Sequence, residues 1–68
     1  MYNYQKLLGK MRECQITQEK LAEMVCISPV SLNKKLNNRV QFKQDEMKSI
    51  LNVLGVDLKN VASYFFNQ

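Results

Sequence analysis

Apolar residues recur at helical spacing along the whole chain. Tyr4, Leu7, Leu8 and Met11 follow the i, i+3, i+4, i+7 rule of a single buried helical face. Leu21 with Val25, and Leu32 with Leu36, repeat the rule in shorter segments, and Met47, Ile50, Leu51 and Leu54 repeat it in a longer one. No segment alternates apolar and polar residues as a half-buried strand would, so the pattern predicts an all-α protein.

The helix starts are legible from a second pattern. In a hydrophobic staple, the residue before a helix N-cap packs over the first turn against a residue inside it. Tyr2/Leu7, Ile16/Leu21, Ile27/Leu32, Phe42/Met47 and Val56/Val61 have that spacing, and they bracket Asn3, Thr17, Ser28, Lys43 and Asp57 as caps. Asn, Thr, Ser and Asp suit the position because a side-chain oxygen accepts the orphan N–H groups of the first turn; Pro29 suits the first helical residue. The spacing therefore predicts helices over 3–14, 18–25, 29–37, 44–54 and 58–66, with Gly55 as a left-handed stop. Lys43 is the exception, because an ammonium cannot accept a hydrogen bond. Either Gln44 or water caps that helix, or a function at Lys43 overrides the local preference.

Length and composition fit one compact domain over residues 1–68. A chain of 68 residues buries only about 60% of its unfolded surface, so nearly every apolar side chain is needed for the core. Hydrophobic residues make up 46%, with one proline and two glycines, which favours a packed helical fold over disorder. There is no histidine, and Cys14 and Cys26 lack the spacing of a zinc site, so no enzyme, metal centre or cofactor is expected. The two thiols are expected to be reduced. The opening stretch "MYNYQKLLGK" has no continuous apolar run, and no segment reaches membrane-spanning length; the expectation is a cytoplasmic protein with no membrane association.

The net charge of +4 is concentrated in one place. Between Cys26 and Gln44 lie Lys34, Lys35, Arg39 and Lys43 without an acidic residue, while the charges of the remaining chain cancel. On a helical wheel with Leu32 and Leu36 inward, Val30, Lys34 and Asn37 face outward, flanked by Ser31 and Asn33. That chemistry suits base edges: lysine can donate to guanine, asparagine can pair with adenine, and a valine methyl can pack on thymine. The same residues would also suit an ordinary solvated helix face, where cations near a C-terminus complement the helix dipole.

Two short helices and a tight connection, "TQEKLAEM", "VCI" and "SPVSLNKKLNN", have helix-turn-helix proportions. Residues 17–38 resemble the lambda-repressor/Cro-type (XRE) helix-turn-helix family, with Ala22 where the two helices approach. "FKQDEMKSILNVLGV" is similar to that family's fourth helix, and the likeness extends over nearly the whole chain. The resemblance implies a compact five-helix bundle of the lambda-repressor-like DNA-binding type. It further implies a sequence-specific transcriptional regulator, most simply a repressor of a bacteriophage or mobile element acting on the bacterial nucleoid. Two positions depart from the family: Cys26 and Gln15 stand where glycine is common, and a side chain in left-handed conformation costs about 1 kcal/mol.

Carried onto this chain, the resemblance makes Pro29, Val30, Ser31, Asn33 and Lys34 candidates for base contacts in the major groove. Gln18, Ser28, Lys35, Asn37, Asn38, Arg39 and Lys43 are candidates for phosphate contacts, with Lys35 reaching outward by extending its stem. The expected partner is a double-stranded DNA operator, bound by a homodimer on two half-sites. At the other end, "VASYFFNQ" concentrates Tyr64, Phe65 and Phe66, which serve either the core or a dimer contact. A second functional reading keeps the fold and changes the partner: a protein-interaction module that binds another repressor or a toxin through these aromatics.

Overall fold

The computed structural model describes residues 1–67. It contains α1 (Gln5–Glu13), α2 (Gln18–Met24), α3 (Pro29–Leu36) and α4 (Gln44–Leu54), then a 3-10 turn (Leu58–Asn60) that runs into α5 (Val61–Phe65). The protein is all-α: among the described residues there is no strand. No helix among them is long and apolar enough to cross a membrane.

Three helix starts agree with the expected caps, the last being that at Asp57, whose Oδ1 accepts the Lys59 N–H at 3.0 Å. Thr17 Oγ1 accepts the Lys20 N–H at 3.1 Å, and Ser28 Oγ accepts that of Ser31 at 3.1 Å, with Pro29 at the first position of α3. Others differ. Asn3 is not the N-cap of α1: its N–H donates to Asn67 O at 2.6 Å and its side chain accepts from Gln5 N at 2.9 Å, so the helix begins at Gln5 with Tyr4 in the cap position. α3 ends at Leu36 rather than 37. The last helix, expected to be continuous over 58–66, is split, because Asp57 Oδ1 accepts from Lys59 N and Asp57 O from Asn60 N, which tightens its first turn into a 3-10 form.

Four helices end in the same way. Gln15, Cys26, Asn38 and Gly55 adopt left-handed backbone at φ 58°, 61°, 63° and 71°. After each, the next residue donates back to a carbonyl of the last turn: Ile16 to Met11, Ile27 to Ala22, Arg39 to Lys34 and Val56 to Leu51, at 2.9–3.0 Å. This is the Schellman arrangement, which satisfies carbonyls that a helix end would leave unpaired. Gly55 meets its expected role. Cys26 and Gln15 take the left-handed geometry in spite of their side chains, and both side chains are exposed. Cys14 and Cys26 are free thiols.

The core is built from one face of every helix. Leu7 and Met11 of α1, Leu21 and Ala22 of α2, Leu32 of α3, and Met47, Ile50, Leu51 and Leu54 of α4 are buried, together with Tyr4, Phe42 and Phe65. The aromatic members meet edge to face, Phe42 and Phe65 with ring centroids 5.0 Å apart and Tyr4 and Phe42 5.4 Å apart, a favourable arrangement for quadrupolar rings. Phe65 is only 1% exposed, so it is a core residue and not the dimer contact considered for it. The surface that "VASYFFNQ" must cover is shared with Tyr4 and Phe42.

Lys35 also departs from expectation. It is 4% exposed, and its Nζ lies 2.8 Å from both carboxylate oxygens of Glu46 on α4. A lysine stem extended to a phosphate would have to leave an ion pair that is itself shielded from water, so Lys35 is not a phosphate contact. Glu46 answers the question raised by Lys43 as well: its Oε1 accepts the Lys43 N–H at 2.9 Å. Glu46 thus supplies the acceptor at the start of α4 that the Lys43 side chain cannot. Burial alone would raise the Glu46 carboxyl, but the hydrogen bonds from Lys35 and from the Lys43 backbone, with the charges of both lysines, outweigh it and hold the group below the usual glutamate range.

Two measurements check these assignments. Cys26→Gly removes a side chain from a left-handed, exposed position and is expected to raise stability by up to about 1 kcal/mol in thermal unfolding; a clear loss would mean that the thiol supports the turn. Because the Glu46 pKa is lowered on folding, its contribution is complete above the ordinary glutamate range and is lost as the pH falls through the folded value. Denaturation followed from about pH 7 to about pH 2 should show that loss in the native protein, and Glu46→Gln should be less stable at neutral pH and flatter in acid.

Candidate functional site

The connector at 25–28 turns the chain from α2 into α3, whose inner side holds Leu32 fully buried and Leu36 half-buried. With 100° between successive residues, Pro29, Val30, Asn33, Lys34 and Asn37 are left exposed and Ser31 half-buried. Val30 is 66% exposed, an aliphatic group offered to solvent at the centre of a polar face.

Side-chain amides are linked along this face. Asn33 Nδ2 donates to Gln18 Oε1 at 3.4 Å, and Asn37 Nδ2 donates to Asn33 O at 2.8 Å and to its Oδ1 at 3.3 Å. The starts of α2 and α3 enclose an open depression of about 530 Å³ lined by Thr17, Gln18, Glu19, Pro29, Val30 and Asn33. Glu19 places a carboxylate in that depression, beside the acid-free segment. Lys34, Arg39 and Lys43 are exposed and form no ion pair among the described residues. The candidate base contacts thus share one surface, and Gln18 and Ser28 border it.

Asn38 does not belong to that surface as a free donor. Its Nδ2 donates to Tyr2 O at 2.8 Å and its Oδ1 accepts from Tyr2 N at 2.9 Å, so both ends of the amide hold the N-terminal segment in place. Asn38, like Lys35, is engaged inside the protein and is not the phosphate contact expected of it.

A second surface lies at the far end of the chain. Phe66 is 46% exposed and meets Tyr2 edge to face at 5.6 Å. Tyr64 is half-buried, with Lys6 Nζ 5.0 Å from its ring centroid. Beside Phe66 is a groove of about 290 Å³ lined by Gln44, Met47, Lys48, Leu58, Val61 and Phe66, with Leu58 exposed at its edge.

Sequence reading missed Glu46, Glu19 and the apolar neighbours of Phe66, and it gave Asn38 a different role. Glu46 stands three residues after Lys43, the spacing of a capping box, and could have been recognised on that signal. Asn38 follows a helix end and is a residue type that tolerates left-handed backbone. The groove has no local signature, because it joins α4 to α5.

Both surfaces offer binding chemistry: amides, unpaired cations and exposed apolar groups. Among solved structures, this protein is similar to the solution structure of the modulator of repression (MOR) of the temperate bacteriophage TP901-1 from Lactococcus lactis. The identity is 36%, the match covers 97% of this chain and 89% of that one, and the TM-score is 0.81. No curated protein matches the chain. The DUF739 family, described as a protein of unknown function, matches residues 1–68, and the chain belongs to that family.

Proposed function

We propose that this protein regulates repression in a phage-type genetic system by binding a repressor protein. The observation that carries this reading is its similarity to a phage modulator of repression over nearly the full length of both chains. A modulator acts on a repressor, and the most direct route is contact between the two proteins. The exposed Phe66, with Leu58 and the groove between them, supplies apolar area of the kind that protein interfaces use. The protein acts by binding rather than by catalysis.

A second reading is favoured by a different observation. The outward face of α3 carries Val30, Asn33, Lys34 and Asn37 without an acidic residue, and Lys34, Arg39 and Lys43 are unpaired among the described residues. Together with the resemblance to lambda-repressor/Cro-type regulators, this supports direct reading of an operator by α3, as a homodimer on half-sites roughly 34 Å apart. Glu19 in the depression between the helix starts weighs against it, since a carboxylate there would face a phosphate backbone.

Gel shifts with the operator and repressor of the same genetic element separate the two. On the first reading, the protein alone leaves the DNA unshifted at low salt and alters the shift produced by the repressor. Phe66→Ala should then weaken the protein complex by about 1–3 kcal/mol in calorimetry while leaving the fold intact. A salt-sensitive shift by the protein alone, with no effect on the repressor, overturns that reading in favour of the second. In that case Lys34→Ala or Asn33→Ala should cost about 1–3 kcal/mol at particular base pairs, and Arg39→Ala or Lys43→Ala should weaken all sequences alike.

A further inference from the structure

Among the described residues, the Lys35–Glu46 pair is the one with both side chains shielded; the Lys10–Glu13 pair, with a half-buried lysine, and the exposed Lys20–Glu23 pair each lie within one helix. It joins α3 to the first turn of α4. Its geometry is bidentate, with both contacts at 2.8 Å, and one of the same carboxylate oxygens also accepts the Lys43 N–H. Glu46 is therefore fixed twice over and cannot follow α3 if that helix turns.

We propose that the Lys35–Glu46 pair is a positioning device, which sets the rotation of α3 about its own axis and so determines which side chains that helix presents. α3 is short, and Leu32 is its one fully buried apolar residue, with Leu36 half-buried. So small a stripe specifies rotation weakly. Lys35 completes it at the i+3 position from Leu32, on the same side of the helix. A turn of about 100° that put Leu36 in the place of Lys35 would carry Lys35 out to the exposed direction of Lys34 and leave Glu46 shielded and unpaired. Apolar packing would tolerate intermediate rotations; a lysine facing a fixed carboxylate does not.

Shielded pairs of this kind contribute little net stability relative to apolar replacements, yet removing one partner is strongly destabilising. That asymmetry separates positioning from stabilisation. It applies whichever partner α3 meets, so it stands independently of the proposed function.

The test compares Lys35→Met, Lys35→Arg and the double variant Lys35→Met/Glu46→Gln, in which glutamine retains an acceptor for the Lys43 N–H. Lys35→Met alone should lower Tm by roughly 10 °C or more, and the double variant should recover most of that loss. In the double variant the α3 amides should exchange with solvent about tenfold faster or more relative to those of α2 and α4, and nuclear Overhauser contacts from Leu36 to the core should weaken. Lys35→Arg, which keeps the charge and the donors, should restore native exchange in α3. Native α3 exchange in the double variant would overturn the proposal. Failure of the double variant to recover Tm, including failure to fold, would also overturn it, by showing that the pair chiefly stabilises.

Discussion

The structure depends on a three-residue connector that is used three times. Gln15-Ile16-Thr17, Cys26-Ile27-Ser28 and Gly55-Val56-Asp57 each place a left-handed residue, then a half-buried aliphatic residue, then a side chain that caps the next helical segment. The aliphatic residue belongs to two elements. Its N–H closes the helix behind it, and its side chain packs against the core that the next helix covers. One local geometry therefore sets the direction in which α2, α3 and the C-terminal turn leave their predecessors. The axis of α3 inherits its direction from this repetition.

The exception follows α3. Asn38 supplies the left-handed residue, but Arg39 occupies the position where the other connectors have isoleucine or valine, and it is exposed. Nothing apolar closes that end, and the chain continues through an open loop to α4. Polar contacts hold this end of α3, Asn38 to the Tyr2 backbone and Glu46 to both Lys35 and Lys43, while Phe42 and Met47 are buried at the start of α4. The neighbouring lysines of "NKKLNN" are divided by the same arrangement, with Lys34 in water and Lys35 in the interior. The part of the molecule nearest the candidate interface is thus held by directional bonds to a greater degree than the rest.

These two regimes explain what was legible in the sequence. The caps at Thr17 and Ser28, the stop at Gly55 and the spacing of Leu7, Leu21, Leu32 and Met47 are local properties, and each was readable from a few neighbouring residues. The burial of Lys35 was not, because its cause is a carboxylate on another helix. Phe65 was ambiguous for the same reason: Tyr64, Phe65 and Phe66 are consecutive aromatics, and only the positions of Tyr4 and Phe42 decide that the middle one is buried. The outward set on α3 followed from helical periodicity, whereas Asn38 was misassigned because its partner lies 36 residues away. Periodicity also identifies a surface without identifying what binds it; similarity to a solved modulator of repression supplied the bias between DNA and protein.

The contacts of the N-terminal segment have a consequence for folding order. Tyr2 is bonded to Asn38, and Asn3 to Asn67, so this segment gains its backbone partners only after almost the whole chain has been brought together. Closing such long loops is entropically slower than forming the α2–α3 connector, whose contacts are local. Docking of the segment therefore requires both of these loops to be closed. Opening of the segment would release the end of α3 through Asn38 and uncover Phe66 through Tyr2, which links the two candidate surfaces to a single local unfolding event.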